Sequence, residues 1–205
     1  MRYYGEMPKE CGYFDVECEE YMFTQYVPIS IPGQYRTTVP ENLKWTEDIL
    51  SRICGMDLEM WKDSYVYVTC KHMYVDGFSG NRPGVHSDGF MTDDLSYIWY
   101  DSYPTIFYDG VFDLTQDHAI SLVEMEKQSR NMQVFHFPVK NLVKLDQYNI
   151  HSVRYCSPGF RTFLKISISK HKYNLKGNSK NPELSLDCEY SERTEQRNDP
   201  HKDKL

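Results

Sequence analysis

The chain lacks three features, each of which would have named a function class. It has no long apolar run: Met1 to Gly33, where a secretory or membrane-spanning segment would open, is crowded with charged residues and tyrosines. It has no C-x-x-C pair: Cys11, Cys18, Cys54, Cys70, Cys156 and Cys188 are scattered, which excludes a zinc knuckle or a redox dithiol motif. It has no excess of positive charge, with 23 Lys and Arg against 30 Asp and Glu and a formal net charge of −7. An acidic chain repels phosphate, so duplex nucleic acid is not an expected partner. The missing apolar segments predict no membrane partner and reduced thiols in a cytoplasmic compartment. Lys202 to Leu205 read K-D-K-L, close to a retrieval signal of the endoplasmic reticulum. Without a signal peptide that reading lapses to a charged tail.

What the chain does have is length for one substantial core, with 205 residues, and an unusual supply of amphipathic rings, 17 of them tyrosines. Most such rings belong to half-buried strands. Prolines at 8, 28, 32 and 40 cut the first forty residues into short extended pieces, which predicts edge strands or an arm around the core. One amphipathic helix is expected over 46–60, with Thr46 as N-cap, Glu47 and Asp48 in the first turn, and Ile49, Ile53, Met56 and Met60 repeating near helical spacing. About eight short strands should follow: Tyr65 to Tyr74, Leu95 to Tyr100, Thr105 to Tyr108, Ile120 to Glu126, Gln133 to Phe137, Leu142 to Leu145 and Arg161 to Ser169 carry the clearest patterns. That texture suggests an all-β sandwich or barrel. Residues 178–205 are polar and mixed in charge, the composition of a disordered tail, which leaves residues 1–177 as the single folded domain. No internal repeat is evident.

The chemistry-bearing pattern is His86-Ser87-Asp88 after the turn Asn81-Arg82-Pro83-Gly84. In an extended segment alternate side chains share a face, so His86 and Asp88 should project together. A second histidine from a distant strand would complete the two-histidine, one-carboxylate face that suits non-haem Fe(II). His151 stands after the turn 146–150, and Pro158-Gly159-Phe160-Arg161 then opens the apolar strand 162–168. The remaining histidines compete less well: His72 shares a face with Cys70 but lacks further ligands, His118 sits in a turn beside Asp117, and His136 lies between two phenylalanines.

This order of residues, H-x-D, then a histidine, then an arginine opening the next strand, resembles the Fe(II)- and 2-oxoglutarate-dependent oxygenases over about residues 65–170. The resemblance implies a double-stranded β-helix (jelly roll, cupin-like) behind the packing helix. It implies His86, Asp88 and His151 as catalytic iron ligands and Arg161 as the cation for the distal carboxylate of 2-oxoglutarate. The implied cofactors are Fe(II) and 2-oxoglutarate, and the implied reaction couples oxidative decarboxylation of that acid to succinate with hydroxylation of an unidentified substrate. Strand alternation puts Lys165 on the face of Arg161 and Phe163. Tyr97 and Tyr100 lie where relatives place a hydroxyl against the cosubstrate, on opposite faces of one strand. Two other readings stay open: a jelly-roll binding or structural module without turnover, and a cupin-like metal enzyme that does not use 2-oxoglutarate.

Overall fold

A computed structural model describes residues 2–193 apart from 35, 78 and 185. Among the described residues, nine strands pair antiparallel into two sheets, accompanied by three α-helices and two 3-10 turns. The larger sheet has the order β1-β7-β4-β9-β3-β2, from β1 (Lys9–Tyr13), β7 (Asn141–Leu145), β4 (Leu95–Tyr100), β9 (Gly159–Ser169), β3 (Tyr65–Val75) and β2 (Met22–Ser30). The smaller has the order β6-β5-β8, from β6 (Gln133–Phe135), β5 (Ile106–Asp109) and β8 (His151–Ser152). The all-β expectation therefore holds at the level of class.

The spine is β9 against β3, paired without a break from Tyr65 opposite Ser169 to Val75 opposite Gly159. Alternation along β9 divides the molecule. Leu164, Ile166 and Ile168 face one way and join Val66, Val68 and Cys70 of β3 under α1 (Glu47–Met56) and α2 (Leu58–Lys62), where Ile49, Leu50, Ile53 and Trp61 are buried. Each fully buried aliphatic chain there contributes about 1.5–3 kcal/mol. Phe163 faces the other way, into a second cluster with Ile98, Tyr100, Val143 and Leu145 of the larger sheet and Phe107 of the smaller one. Helices thus cover one face of the large sheet, and the small sheet packs on the other.

The prolines of the first forty residues do mark edges, since β1 and β2 are the two outer strands of the large sheet. Pro28 costs no ladder bond there. Three local expectations are corrected. The helix expected over 46–60 is broken at Asp57, whose backbone (φ −127°, ψ 46°) separates α1 from α2. Its carboxylate is drawn to the sheet instead, accepting from Lys144 Nζ at 2.7 and 2.8 Å and from the Tyr97 hydroxyl. Thr46 does not cap: a 3-10 turn, Glu41–Thr46, runs straight into α1, and the threonine hydroxyl donates to Leu43 O at 2.7 Å. The segment expected as a strand at 120–126 lies inside α3 (His118–Gln128). Asp117 caps that helix by accepting from the backbone N–H of Ala119 and Ile120 at 2.8 and 2.9 Å, and this outweighs the strand preference of Ile120 and Val123, which are left exposed.

The polar segment that begins at Asn178 is anchored over its first part. Asn178 and Asn181 are buried, and Asn181 Nδ2 donates to Pro28 O at 2.8 Å and Thr38 O at 2.9 Å, clipping the segment to the outer edge of β2. The rest of that tail, 194–205 with the K-D-K-L end, lies outside the described residues. Among the described residues no helix is long and apolar enough to cross a membrane. All six cysteines are free.

Candidate metal centre

His86 and His151 meet through their backbones. The N–H of each donates to the carbonyl of the other, at 2.9 Å from His86 and 2.8 Å from His151, so the two residues form an isolated antiparallel bridge at the edge of β8. Directly opposed residues in such a pair project to the same side. The imidazole centroids are accordingly 4.5 Å apart. The expected strand alternation between His86 and Asp88 is replaced by a turn: Asp88 follows the bridge, and Gly89 takes a positive φ of 67°, where a Cβ would lie 2.8 Å from Thr92 Oγ1. The turn carries the carboxylate back over the imidazoles, leaving Asp88 Oδ2 3.7 Å from His151 Nε2. One ligand atom from each of His86, Asp88 and His151 falls within 4.8 Å of the others.

The tautomers follow from the partners. Nδ1 of His86 lies 2.9 Å from Gly84 O, and Nδ1 of His151 lies 3.0 Å from Asn149 O. A carbonyl can only accept, so each Nδ1 carries the proton and each Nε2 keeps its lone pair. Burial drives the His86 imidazole down to about 3, helped by the neighbouring His151, and burial also lowers His151. For Asp88, burial pushes upward but is overcome by the Lys165 ammonium and the two histidines, so the carboxyl stays below its ordinary range. At neutral pH the group is two neutral imidazoles and one carboxylate, which is the protonation state of a metal site.

Lys165 Nζ lies 2.7 Å from Asp88 Oδ2. It reaches there because β9 alternation aims Arg161, Phe163 and Lys165 at the cavity side, as the sequence predicts. The cavity over the triad is lined by His86, Asp88, His151 and Lys165, together with the polar side chains of Lys71, Arg82, Tyr26 and Thr69 and the apolar ones of Ile98, Val153 and Phe163.

Arg161 is placed differently from expectation. It is 2% exposed and absent from the cavity lining. Its guanidinium donates to the carbonyls of Ser79 at 3.0 Å, Ser102 at 3.3 Å and Tyr103 at 3.4 Å, and lies 5.1 Å from the centroid of Phe163, whose ring does line the cavity. The five N–H donors of a guanidinium suit such a three-way clamp on loop backbone. Neither expected tyrosine hydroxyl reaches the cavity: Tyr97 faces the helices and bonds Asp57, while the Tyr100 hydroxyl donates to Phe137 O at 3.3 Å.

The tyrosine that does line the cavity is Tyr26, which sequence reasoning missed. It sits in a bulge of β2 with φ 53°, and its N–H donates to Thr69 Oγ1 at 3.0 Å. Bulges re-aim side chains, and a mid-strand tyrosine gives no warning of one. Lys71 was missed too, although its parity with Thr69 in a strand made its inward direction readable.

No family model matches the chain, and no curated protein matches it. Among solved structures it is similar to an oxidoreductase of the 2OG-Fe(II) oxygenase family from Burkholderia pseudomallei, at 14% identity over 80% of this chain and 73% of that one, with a TM-score of 0.38. So distant a likeness leaves the functional reading to the side chains.

Proposed function

We propose that the protein is an Fe(II)- and 2-oxoglutarate-dependent oxygenase that hydroxylates a still unidentified substrate, built on residues 1–177 as a divergent double-stranded β-helix and working in the cytoplasm. The observation that carries this is the state of the triad: both Nδ1 atoms are tied to backbone carbonyls at 2.9 and 3.0 Å, leaving two bare Nε2 atoms and a carboxylate within 4.8 Å. Histidine ligands of metals characteristically have their second nitrogen held in this way. A two-nitrogen, one-oxygen set on one face fits Fe(II) with open positions for a cosubstrate and dioxygen. The residues present therefore fit the group.

Bound there, Fe(II) would supply activation of dioxygen coupled to oxidative decarboxylation of the 2-oxo acid. The chain's own share is positional. His86 and His151 are held in one tautomer and orientation by Gly84 O and Asn149 O. Lys165 keeps Asp88 ionised and fixes one of its oxygens. Ile98, Val153 and Phe163 supply the apolar part of the cavity lining.

A second reading has its own observation. The Lys165 ammonium already neutralises Asp88 at 2.7 Å, as it would in a metal-free binding module. One experiment separates the two. Anaerobic Fe(II) protein titrated with 2-oxoglutarate should develop metal-to-ligand charge-transfer absorption in the visible, and admitting oxygen should release succinate. Bound iron with no such absorption would sink the oxygenase reading, and no iron binding at all would favour the module.

A further inference from the structure

Resting on the oxygenase reading, we infer that Lys71 on β3, and not Arg161, receives the distal carboxylate of the 2-oxo acid.

Three observations carry it. First, Lys71 is a buried cation without an acid: it is 7% exposed, and its Nζ donates to Gly80 O at 2.7 Å and Asn81 Oδ1 at 3.1 Å, both neutral. No carboxylate pairs with it among the described residues; beyond the two neutral acceptors its Nζ lies 5.1 Å from the centroid of the Phe23 ring, which supplies no negative charge. A buried charge normally has a counter-charge, so an unpaired one lining a cavity is set up for an anion.

Second, the surroundings add positive charge. Lys165 and Arg82 line the same cavity, while its one lining carboxylate, Asp88, is committed to Lys165 and the triad. Burial, then Arg161, then Lys165 bring the Lys71 ammonium down to about 8, the effect expected of a cation withdrawn from water with other cations near it. The chain as a whole carries −7, so this is a local arrangement and not a general surface property.

Third, the spacing suits a short diacid. Lys71 is registered opposite Phe163, and Thr69 opposite Lys165, so Lys71 and Lys165 are diagonal neighbours with backbones about 7–8 Å apart. A ligand whose 2-oxo acid end lies at the triad beside Lys165 then presents its far carboxylate toward Lys71. Arg161 is excluded from that role by the Phe163 ring and by the three carbonyls it already serves.

The test compares two acids on the anaerobic Fe(II) protein, following the visible charge-transfer absorption: 2-oxoglutarate, and 2-oxobutyrate, which keeps the 2-oxo acid end and has no distal carboxylate. The wild type should bind 2-oxoglutarate more tightly by about ten- to a hundredfold, the range of one charge-assisted hydrogen bond. Lys71→Met should remove that preference while leaving affinity for 2-oxobutyrate and for Fe(II) unchanged, and Lys71→Arg should restore part of it. Lys71→Gln, which can still donate to Gly80 O, gives the same comparison should the methionine variant not fold. Equal binding of the two acids by the wild type, or an intact preference in the methionine or glutamine variant, overturns the inference while the oxygenase reading stands. Absence of absorption with either acid on iron-loaded wild type overturns both.

Discussion

His86 and His151 lie 65 residues apart in sequence, yet they exchange backbone hydrogen bonds of 2.9 and 2.8 Å, and that bridge places their imidazoles at one point. Neither histidine could be shifted by one residue without turning its ring to the opposite side. The geometry of the candidate metal site is thus a property of strand pairing, with Asp88 supplied by the turn that follows. Replacing His151 by alanine removes a candidate ligand but leaves the backbone bridge intact. Affinity for Co(II), read from its visible d–d spectrum, should fall by more than the roughly 10–100-fold typical of losing an outer-shell partner, with circular dichroism unchanged. Unaltered Co(II) affinity would mean that His151 is not a ligand.

Lys165 and a divalent ion would compete for the charge of Asp88. An ammonium 2.7 Å from the carboxylate repels an incoming dication and lowers the basicity of its ligand oxygen. Lys165→Met should therefore bind Co(II) or Mn(II) at least about tenfold more tightly, since a few kcal/mol of repulsion at an effective dielectric near 20 is removed. The same change strands a largely buried carboxylate in the metal-free protein, so its melting temperature should drop below that of the wild type, with saturating metal restoring more stability to the variant. Equal metal-induced shifts in the two proteins would show that ammonium and metal do not share Asp88.

Lys71 should give stability and ligand binding opposite responses to pH. Burial, Arg161 and Lys165 lower its ammonium to about 8, against an ordinary 10.5. Between those values the folded protein has released a proton that the unfolded chain still holds, so stability should rise with pH across the window, by up to about 1.4 kcal/mol per unit. Below about 8 the side chain is charged in both states and this gain is absent. Anion binding needs the charged form, so affinity for 2-oxoglutarate should instead decline above about 8. The cations that face Lys71 are Arg161, Lys165 and Arg82, and Lys71→Arg should abolish both trends. Denaturation midpoints and titrations at pH 7, 8, 9 and 10 would read them together, and two curves of the same sign would contradict the assignment.

Much of the molecule was legible because alternation is a local signal. The run Phe163-Leu164-Lys165-Ile166-Ser167-Ile168 announces a strand with one apolar face and one mixed face, and both faces are used as written. That His86, Asp88 and His151 come together was expected from the order H-x-D, then a histidine, then an arginine opening the next strand, and not from the common H-x-D pair alone. What remained hidden depends on partners remote in sequence. Ile120 and Val123 look like strand residues until Asp117 caps the helix, and nothing near Asp57 reveals that Lys144 will pull it out of helical geometry. Arg161 looks like a ligand-binding cation because its clients, the carbonyls of Ser79, Ser102 and Tyr103, are backbone atoms of two loops that no side-chain pattern marks.

The clamp at Arg161 makes a prediction that separates structure from chemistry. Arg161→Met keeps length and apolar contact with Phe163 but abandons three buried or partly buried carbonyls in the loops that flank the cavity. Each loss of a hydrogen bond to a charged donor costs about 1.5–3 kcal/mol, not all of it additive, so destabilisation of several kcal/mol is expected, with faster amide exchange at the loops near residues 79 and 102–103. Arg161→Lys should recover little, because a single ammonium cannot span the carbonyls that a planar fork reaches at once. Co(II) affinity of the folded fraction should match the wild type, since the guanidinium makes no contact with His86, Asp88 or His151. A variant that keeps wild-type stability and loses 2-oxoglutarate binding alone would return Arg161 to the cosubstrate and displace Lys71 from it.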